Sequence, residues 1–477
     1  MKVTVKESKG FWAALVVFVV LLLGLFCQLS DLPLIIPLVL LFLGIHLYIV
    51  QKSTPKLFLE LGLLLTLFLS VAYPLVRYIG INPYYLPVAS VAMLTILLFN
   101  DLELAFIVSF AGSALMTFLI GQNFNVFLVF FLGSVAGSYL VRDARTRGTL
   151  MNAGFAIAFV QVIGIILVNP DFATMDIRQF VVQSVRPLAL NGIFAVFVVI
   201  SMLKIFELLF GVLTNFSLSE LSDFNQPLLR RMIMEAPGTY HHSLIVSNLA
   251  ETAADAIGAN SLLTRVGAYY HDIGKMEKAE YFNENQILSG NKHDKIEPSI
   301  SRLVILNHVK EGVELARKYK LNRQIIDFIP QHHGTSLMHY FYCKALEDAD
   351  DDNSITEENY RYPGPKPQSR ETAIVLLADS VEAATRSLDE TNPVKIEEVV
   401  RKIINNKFID GQLDECNLTL KEIESIAQTF TRVLSAMYHG RVKYPDKKNG
   451  PDNRNRKQAE ADSDKPAPPQ PDRSEGS

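Results

Sequence analysis

A chain of 477 residues has room for more than one domain at about 150 residues each, and 49% hydrophobic content with a mean hydropathy of +0.21 is high for a soluble protein. A net charge of −4 gives no electrostatic footprint for a nucleic-acid polymer. Cys27, Cys343 and Cys416 are far apart, which excludes a readable disulfide framework or cysteine zinc site.

Residues 11–213 are apolar almost throughout. A spanning helix needs about 20 mostly apolar residues. The sequence predicts eight, over roughly 11–28, 33–50, 57–76, 84–100, 103–120, 124–141, 150–168 and 188–212. Only Asn100-Asp101-Leu102 separates the fourth from the fifth. The first reads as an uncleaved helix, because no clear small-residue cleavage site follows Cys27. Lys2, Lys6, Lys9, Lys52, Lys56, Arg142, Arg145 and Arg147 all fall on one side of the bilayer. The opposite loops hold Arg77, Arg178 and Arg186, diluted by Asp31, Asp171 and Asp176. The positive-inside rule places the N-terminus in the cytoplasm, and eight crossings return the C-terminal half there. Polar groups in the spans are few: His46, Glu60, Gln161 and Asn191. His46 and Glu60 sit near cytoplasmic ends and are expected to reach the interface. Neither a cluster of buried charges nor paired broken helices points to a transporter.

Residues 214–239 form an amphipathic linker, with Leu218, Leu221, Phe224, Leu228 and Leu229 set among charges. Ser219 or Ser222 is a candidate helix cap, and Pro227 and Pro237-Gly238 punctuate the segment. It offers either a homodimer contact or a spacer helix packed on the domain that follows.

That domain, 240–444, reads as all-α, since apolar residues recur at helical spacing and no strand pattern stands out. Leu244, Ile245, Leu249 and Ala253 mark one helix; Val304, Ile305, Val309 and Val313 another. An acidic stretch from Glu347 to Glu358 reads as a solvated loop. The Tyr362–Pro367 run that follows is too rich in proline for helix. Helix is expected again over 371–388, with two or three more to about Tyr438. The polar tail, 445–477, is expected to be disordered.

The chemistry centres on Tyr269-Tyr270-His271-Asp272-Ile273-Gly274-Lys275, where Lys275 is expected on the helical face of His271. Eight of the ten histidines lie between 241 and 339. The candidate metal ligands are His242, His271, Asp272, His308, His332, His333 and Asp379. Imidazoles and carboxylates without cysteine suit iron, manganese or zinc. Asp379 sits inside Val375-Leu376-Leu377-Ala378, where a carboxylate is costly unless paired or metal-bound. His241, His293, His339 and His439 are read as non-ligands. Seven ligands exceed the need of one ion with an open position and suit two ions bridged by one carboxylate. Asp272 is the expected bridge. Such a pair clamps a phosphate oxygen and acidifies a water into an attacking hydroxide. Lys275 is placed to offset charge in the transition state. The reaction class is metal-assisted phosphoester hydrolysis.

Pro237-Gly238-Thr239-Tyr240-His241-His242-Ser243, His271–Lys275, Asn307-His308, Gln331–Thr335, Tyr362–Gln368 and Leu377–Glu382 together resemble the seven-transmembrane HD-domain family of bacterial cyclic di-AMP phosphodiesterases. The resemblance covers about residues 10–445. It implies a polytopic transmembrane helical bundle in the bacterial cytoplasmic membrane, followed by a cytoplasmic all-helical HD phosphohydrolase domain that converts cyclic di-AMP to linear pApA. It also implies that His242, His271, Asp272 and Asp379 hold one ion, that Asp272, His308, His332 and His333 hold the other, with iron or manganese as the metal, and that Lys275 meets the phosphate. Fuller members carry a large extracellular domain where this chain has only Gln28 to Leu32. An HD-GYP enzyme for cyclic di-GMP is disfavoured, since Gly334-Thr335-Ser336-Leu337-Met338 follows the double histidine. The competing class is a membrane receptor whose HD domain binds nucleotide without turnover. Adenine preference rests on the resemblance alone, with Tyr281, Phe282, Tyr340 and Tyr362 as candidate base-stacking residues.

Overall fold

The computed structural model describes residues 54–119, 124–169, 176–286, 292–347, 355–388 and 392–438. The described residues are helical, with one isolated antiparallel bridge between Leu337 and Arg361 and no strand. The all-α expectation therefore holds. The spans expected at 11–28 and 33–50, His46 and the 445–477 tail lie outside the described residues.

The apolar half contains α1 (Pro55–Arg77), α2 (Ala89–Phe99), α3 (Leu102–Leu119), α4 (Phe124–Val141), α5 (Arg147–Val168) and α6 (Ile177–Phe210). Four of these, α1, α4, α5 and α6, are long and apolar enough to cross a membrane. The chain is a membrane protein. The span expected from residue 84 starts later as an α-helix. Pro83 and Pro87 interrupt the backbone ladder, and a 3-10 turn at Pro83–Tyr85 precedes α2. Asn191 of α6 repairs the break by donating its side-chain amide to the carbonyls of Tyr84 and Leu86, which lipid cannot hydrate. The separation of α2 from α3 is real. Asn100 takes a left-handed conformation (φ 51°) and Asp101 accepts from the Leu104 N–H. The sixth helix begins before the predicted start at 188 and absorbs Arg186-Pro187 through a π-helical turn at Val181–Val185. Helices α5 and α6 approach closely at Gly154 and Gly192, where a Cβ on Gly192 would lie 1.9 Å from the Gly154 carbonyl oxygen. Glu60 pairs with Lys56 at 3.5 Å, near the start of α1.

The linker forms two short helices, α7 (Asn215–Leu221) and α8 (Pro227–Glu235). Thr214, rather than Ser219 or Ser222, caps α7. Its hydroxyl and that of Ser217 both donate to buried Glu207 of α6, which also pairs with Lys204 at 3.3 Å. Leu218, Leu228, Leu229 and Met232 are buried in a core shared with Val266, Tyr270 and Ile273. The linker's apolar face is thus occupied within the chain, as the spacer reading expected.

The C-terminal half contains α9 (Pro237–Ala256), α10 (Ser261–Tyr270), α11 (Pro298–Lys318), α12 (Arg323–Ile326), α13 (Phe328–Gln331), α14 (His339–Glu347), α15 (Arg370–Arg386), α16 (Pro393–Ile409) and α17 (Leu420–Tyr438). Helices α9, α15, α16 and α17 enclose one apolar core around Leu249, Leu377, Val400 and Phe430. Helix α10 ends at Tyr270, and a 3-10 segment runs over Ile273–Tyr281. Lys275 therefore does not share an α-helical face with His271. Gly274 seats this segment on α11, because a Cβ there would fall 1.8 Å from the His308 carbonyl oxygen and 2.5 Å from the Gly312 nitrogen. Both are backbone atoms and cannot rotate away. Gly274→Ala is expected to destabilise the protein by about 2 kcal/mol or more. In a thermal melt of the full chain in detergent that appears as a drop of roughly 4–8 °C, and an unchanged melting point would refute this packing.

Candidate metal centre

Five elements bring the seven sequence-picked ligands to one place. Helix α9 supplies His242, the end of α10 supplies His271 and Asp272, and α11 supplies His308. The turn after α13 supplies His332 and His333, and α15 supplies Asp379. Their donor atoms form two groups: His242, His271 and Asp379, and Asp272, His308, His332 and His333. Within each group the atoms lie within 4.8 Å of one another. Asp272 joins the groups. Its Oδ2 stands 3.2 Å from His271 Nε2 and 3.7 Å from His242 Nε2, while its Oδ1 stands 3.5 Å from both His308 Nε2 and His332 Nε2.

The hydrogen bonds behind the imidazoles decide which nitrogens face inward. His242 Nδ1–H donates to Glu382 Oε2 at 2.8 Å, and His271 Nδ1–H donates to the Ala268 carbonyl at 2.7 Å. His308 Nδ1–H donates to the Ile305 carbonyl, and His332 Nδ1–H to the Phe328 carbonyl at 3.1 Å. These oxygens only accept, so each ring carries a proton on Nδ1 and turns Nε2 to the centre, where His242 Nε2 also meets Asp379 Oδ1 at 3.0 Å. The Nε2 atoms of His271, His308, His332 and His333 and Oδ1 of Asp272 are buried without a hydrogen-bond partner among the described residues. Lone pairs converging on carboxylate oxygens repel unless cations lie between them. The donor set therefore fits divalent metal.

Electrostatics agree with that geometry. Burial opposes charge on Asp272, yet the surrounding His271 and Lys275 hold its carboxyl well below the usual carboxylate range. Burial pushes the pKa of His308 down to about 4, which keeps it a neutral ligand. Burial also opposes charge on His242, but Asp379 and Glu382 outweigh it and push the pKa up to about 10. A proton on His242 Nε2 and a metal ion compete for the same lone pair, so metal uptake releases that proton.

Lys275 reaches the centre from the 3-10 segment, 2.6 Å from Asp272 Oδ2 and 2.9 Å from Glu284 Oε1, with Phe282 beneath it at 5.1 Å. Phe282 and Tyr362 are walls of the site rather than free stacking platforms. Phe282 is 5% exposed and meets His308 edge-on, and the Tyr362 ring lies on His333 at 4.1 Å. Tyr340 is exposed. Of the histidines read as non-ligands, His241 is exposed, buried His293 bonds to the Tyr281 carbonyl, His339 contacts Cys343, and His439 lies outside the described residues.

Sequence reasoning missed Glu382 and Glu284. Glu382 is fully buried, one helical turn past Asp379, and that spacing on α15 was the available signal. Glu284 lies in a short 3-10 turn with no periodicity to mark it.

Comparison with known proteins follows the same division of the chain. A family model described as "7TM receptor with intracellular HD hydrolase" matches residues 29–214, and an "HD domain" model matches residues 239–384. The "Cyclic-di-AMP phosphodiesterase PgpH" of Bacillus subtilis (strain 168) is 40% identical over 372 residues, covering 76% of this chain and 51% of that one. Its namesake in Listeria monocytogenes is 40% identical over 368 residues, covering 77% and 51%. This chain thus spans about half the length of these relatives. A crystal structure of the L. monocytogenes PgpH HD domain in complex with cyclic di-AMP is 50% identical, covers 46% of this chain and 100% of its own, and superposes with a TM-score of 0.44. The two models match in succession along the chain, so a region like the 7TM receptor model is followed by an HD domain.

Proposed function

We propose that this protein is a membrane-bound, metal-dependent phosphodiesterase that hydrolyses cyclic di-AMP to linear pApA on the cytoplasmic side of a bacterial inner membrane. The observation that carries the reaction is the pair of ligand groups joined through Asp272. The substrate follows from relatives 40% identical over most of the chain that bear the name cyclic-di-AMP phosphodiesterase. The side of the membrane follows from the distribution of Lys and Arg among the loops. Residues 1–213 then serve as the membrane domain, 214–239 as its linker, and 240–444 as the catalytic domain.

His242, His271, Asp272 and Asp379 would hold one divalent ion, and Asp272, His308, His332 and His333 the other. Two such ions, iron or manganese, would supply Lewis acidity to the phosphoryl oxygen and acidify the attacking water. The protein's own part is to hold these donors still. Glu382 and three backbone carbonyls lock four imidazoles in the ligating tautomer and orientation. Glu284 braces Lys275 beside Asp272, within reach of a phosphate bound there, and the ammonium offsets charge that builds up on the phosphate oxygens. The buried aromatic walls exclude water from the far side of His308 and His333.

Purified full-length protein supplied with manganese or iron is expected to convert cyclic di-AMP to pApA faster than it cleaves cyclic di-GMP. Asp272→Ala, which removes the group common to both ligand sets, is expected to cost about a thousand-fold or more in rate. Tight binding of cyclic di-AMP without turnover would replace the enzyme with a receptor. Preference for the guanine dinucleotide would keep the chemistry and overturn the substrate.

Glu382→Gln retains size and a hydrogen-bonding oxygen but loses the charge that sustains the His242 Nδ1–H. Metal affinity or activity is expected to fall about 10–100-fold, the usual effect of losing such a partner. Metal content by mass spectrometry, measured beside the rate, checks it. Wild-type values for both would show that Glu382 does not orient the ligand.

A further inference from the structure

A cyclic dinucleotide carries two phosphodiesters, and the metal centre with Lys275 serves the one that is cut. We propose that Lys407 binds the second, uncleaved phosphate and thereby makes the site selective for substrates with two phosphodiesters. This rests on the cyclic-dinucleotide reading above.

Lys407 lies in the last turn of α16, outside the segments that carry the metal ligands. Its Nζ donates to Ser336 Oγ at 2.6 Å, three residues beyond His333, and Ser336 is buried. Other basic residues around this loop are engaged by carboxylates. Lys275 sits on Asp272 and Glu284, Lys366 lies 3.3 Å from Asp414, and Arg361 contacts both oxygens of Asp410 at 2.9 and 3.2 Å. Asp410, the nearby acid just past α16, also accepts from Gln412 Nε2 at 2.9 Å. Among the described residues Lys407 makes no ion pair, and its partner is a neutral hydroxyl.

Lys407 is half-buried, and an ammonium partly drawn out of water without a counterion is costly, a cost that an arriving phosphate offsets. Burial lowers the Lys407 pKa even though Asp379 and Asp410 pull the other way. The bond to Ser336, three residues past His333, is what places the amine beside the loop that carries the double histidine. Ser336 can rotate its hydroxyl to donate to the same anion.

The position of this cation relative to the metal ligands is fixed by the loop between them. The Thr335 N–H donates to Gln412 Oε1 at 2.8 Å, and Gln412 Nε2 donates back to Thr335 Oγ1 at 2.9 Å. Arg361 donates to the Thr335 carbonyl at 2.9 Å, and Gly334 supplies the left-handed turn (φ 54°) after the double histidine. Gln412 is fully buried, so this clamp is not loosened by water. His333 and Ser336 are thereby held as one rigid piece, and two anion-binding points at a fixed separation discriminate by the spacing of two phosphates.

The test uses the full-length protein in detergent with manganese, comparing wild type, Lys407→Gln and Lys407→Arg. The substrates are cyclic di-AMP and bis(para-nitrophenyl) phosphate, which has a single phosphodiester. Lys407→Gln is expected to raise KM for cyclic di-AMP about ten- to hundred-fold and to cut the kcat/KM ratio of the dinucleotide to the single diester by a similar factor. Lys407→Arg is expected to recover most of that ratio. Equal losses on both substrates, accompanied by loss of manganese, would reduce Lys407 to a structural tie of the loop and overturn the proposal. An unchanged KM would also overturn it. If the wild type turns over neither substrate, the enzymatic reading fails on its own. Calorimetric binding of cyclic di-AMP then decides the present question, with about ten-fold or greater weakening in Lys407→Gln supporting it and equal binding refuting it.

Discussion

The constraint on which the rest of the structure depends is a carboxylate, Asp272, 1% exposed and faced by the Nε2 atoms of four imidazoles. Lys275 offsets the charge at Oδ2 from 2.6 Å, but the lone pairs converging on the rest of the carboxylate, in a site shielded from water, cost several kcal/mol without metal ions. Divalent cations between the donors would remove that cost. The surrounding helices are arranged to keep it. Every imidazole is held from behind by an oxygen that belongs to a packed helix, and those helices are fixed by apolar cores on two sides of the centre. Even the glycines serve this end, since Gly274 and Gly312 let the 3-10 segment that follows Asp272 rest directly on the backbone that carries His308.

The same centre is joined to the membrane half by an unbroken chain of contacts. Buried Glu207 near the end of α6 receives hydroxyls from Thr214 and Ser217, which start α7. The last residue of α7, Leu221, offers its carbonyl to the Tyr270 hydroxyl at 2.9 Å, and Tyr270 directly precedes His271. Contact alone is not coupling, which requires the junction to have two arrangements. A cavity of about 400 Å³ lies at this junction, lined by Lys204, Glu207, Tyr270 and Asn322 among others.

Much of this was legible in the sequence because the chemistry is carried by residue types that are conspicuous where they stand. A carboxylate in the apolar run before Asp379, or histidines gathered in one fifth of the chain, violate local expectation and so announce a site. The metal-group partners were readable for that reason. What escaped was whatever depends on a distant backbone. Glu284 matters only because a 3-10 turn brings it to Lys275, and Gln412 and Lys407 matter only because α16 ends beside the loop after His333. Among the described residues hydropathy found six apolar helices, four of them long enough to cross a membrane, but misplaced two starts, at Pro87 and at Arg186-Pro187, where proline changes hydrogen bonding without changing apolarity. Aromatic residues were ambiguous for a similar reason. Nothing local tells a wall such as Tyr362 from a surface ring such as Tyr340.

The helix break at the centre explains why two adjacent residues can serve it together. Neighbours in an α-helix point about 100° apart and do not face each other, so a His-Asp pair inside one helix could not converge. Here α10 stops at Tyr270, and Asp272 leaves helical geometry with φ −112° and ψ 15°. That rotation brings its carboxylate within 3.2 Å of the His271 imidazole. The His332-His333 pair likewise follows the end of α13, with ring centroids 3.8 Å apart. Ending a helix at each pair has a second consequence. The last carbonyls of a helix lack intrahelical partners, and one of them, Ala268, accepts the Nδ1–H of His271, while the Phe328 carbonyl takes both the backbone N–H and the Nδ1–H of His332. The negative end of the α10 dipole points at the same place and favours a cation there. One backbone event thus turns adjacent ligands inward, fixes their tautomers and supplies part of the field that holds the metal.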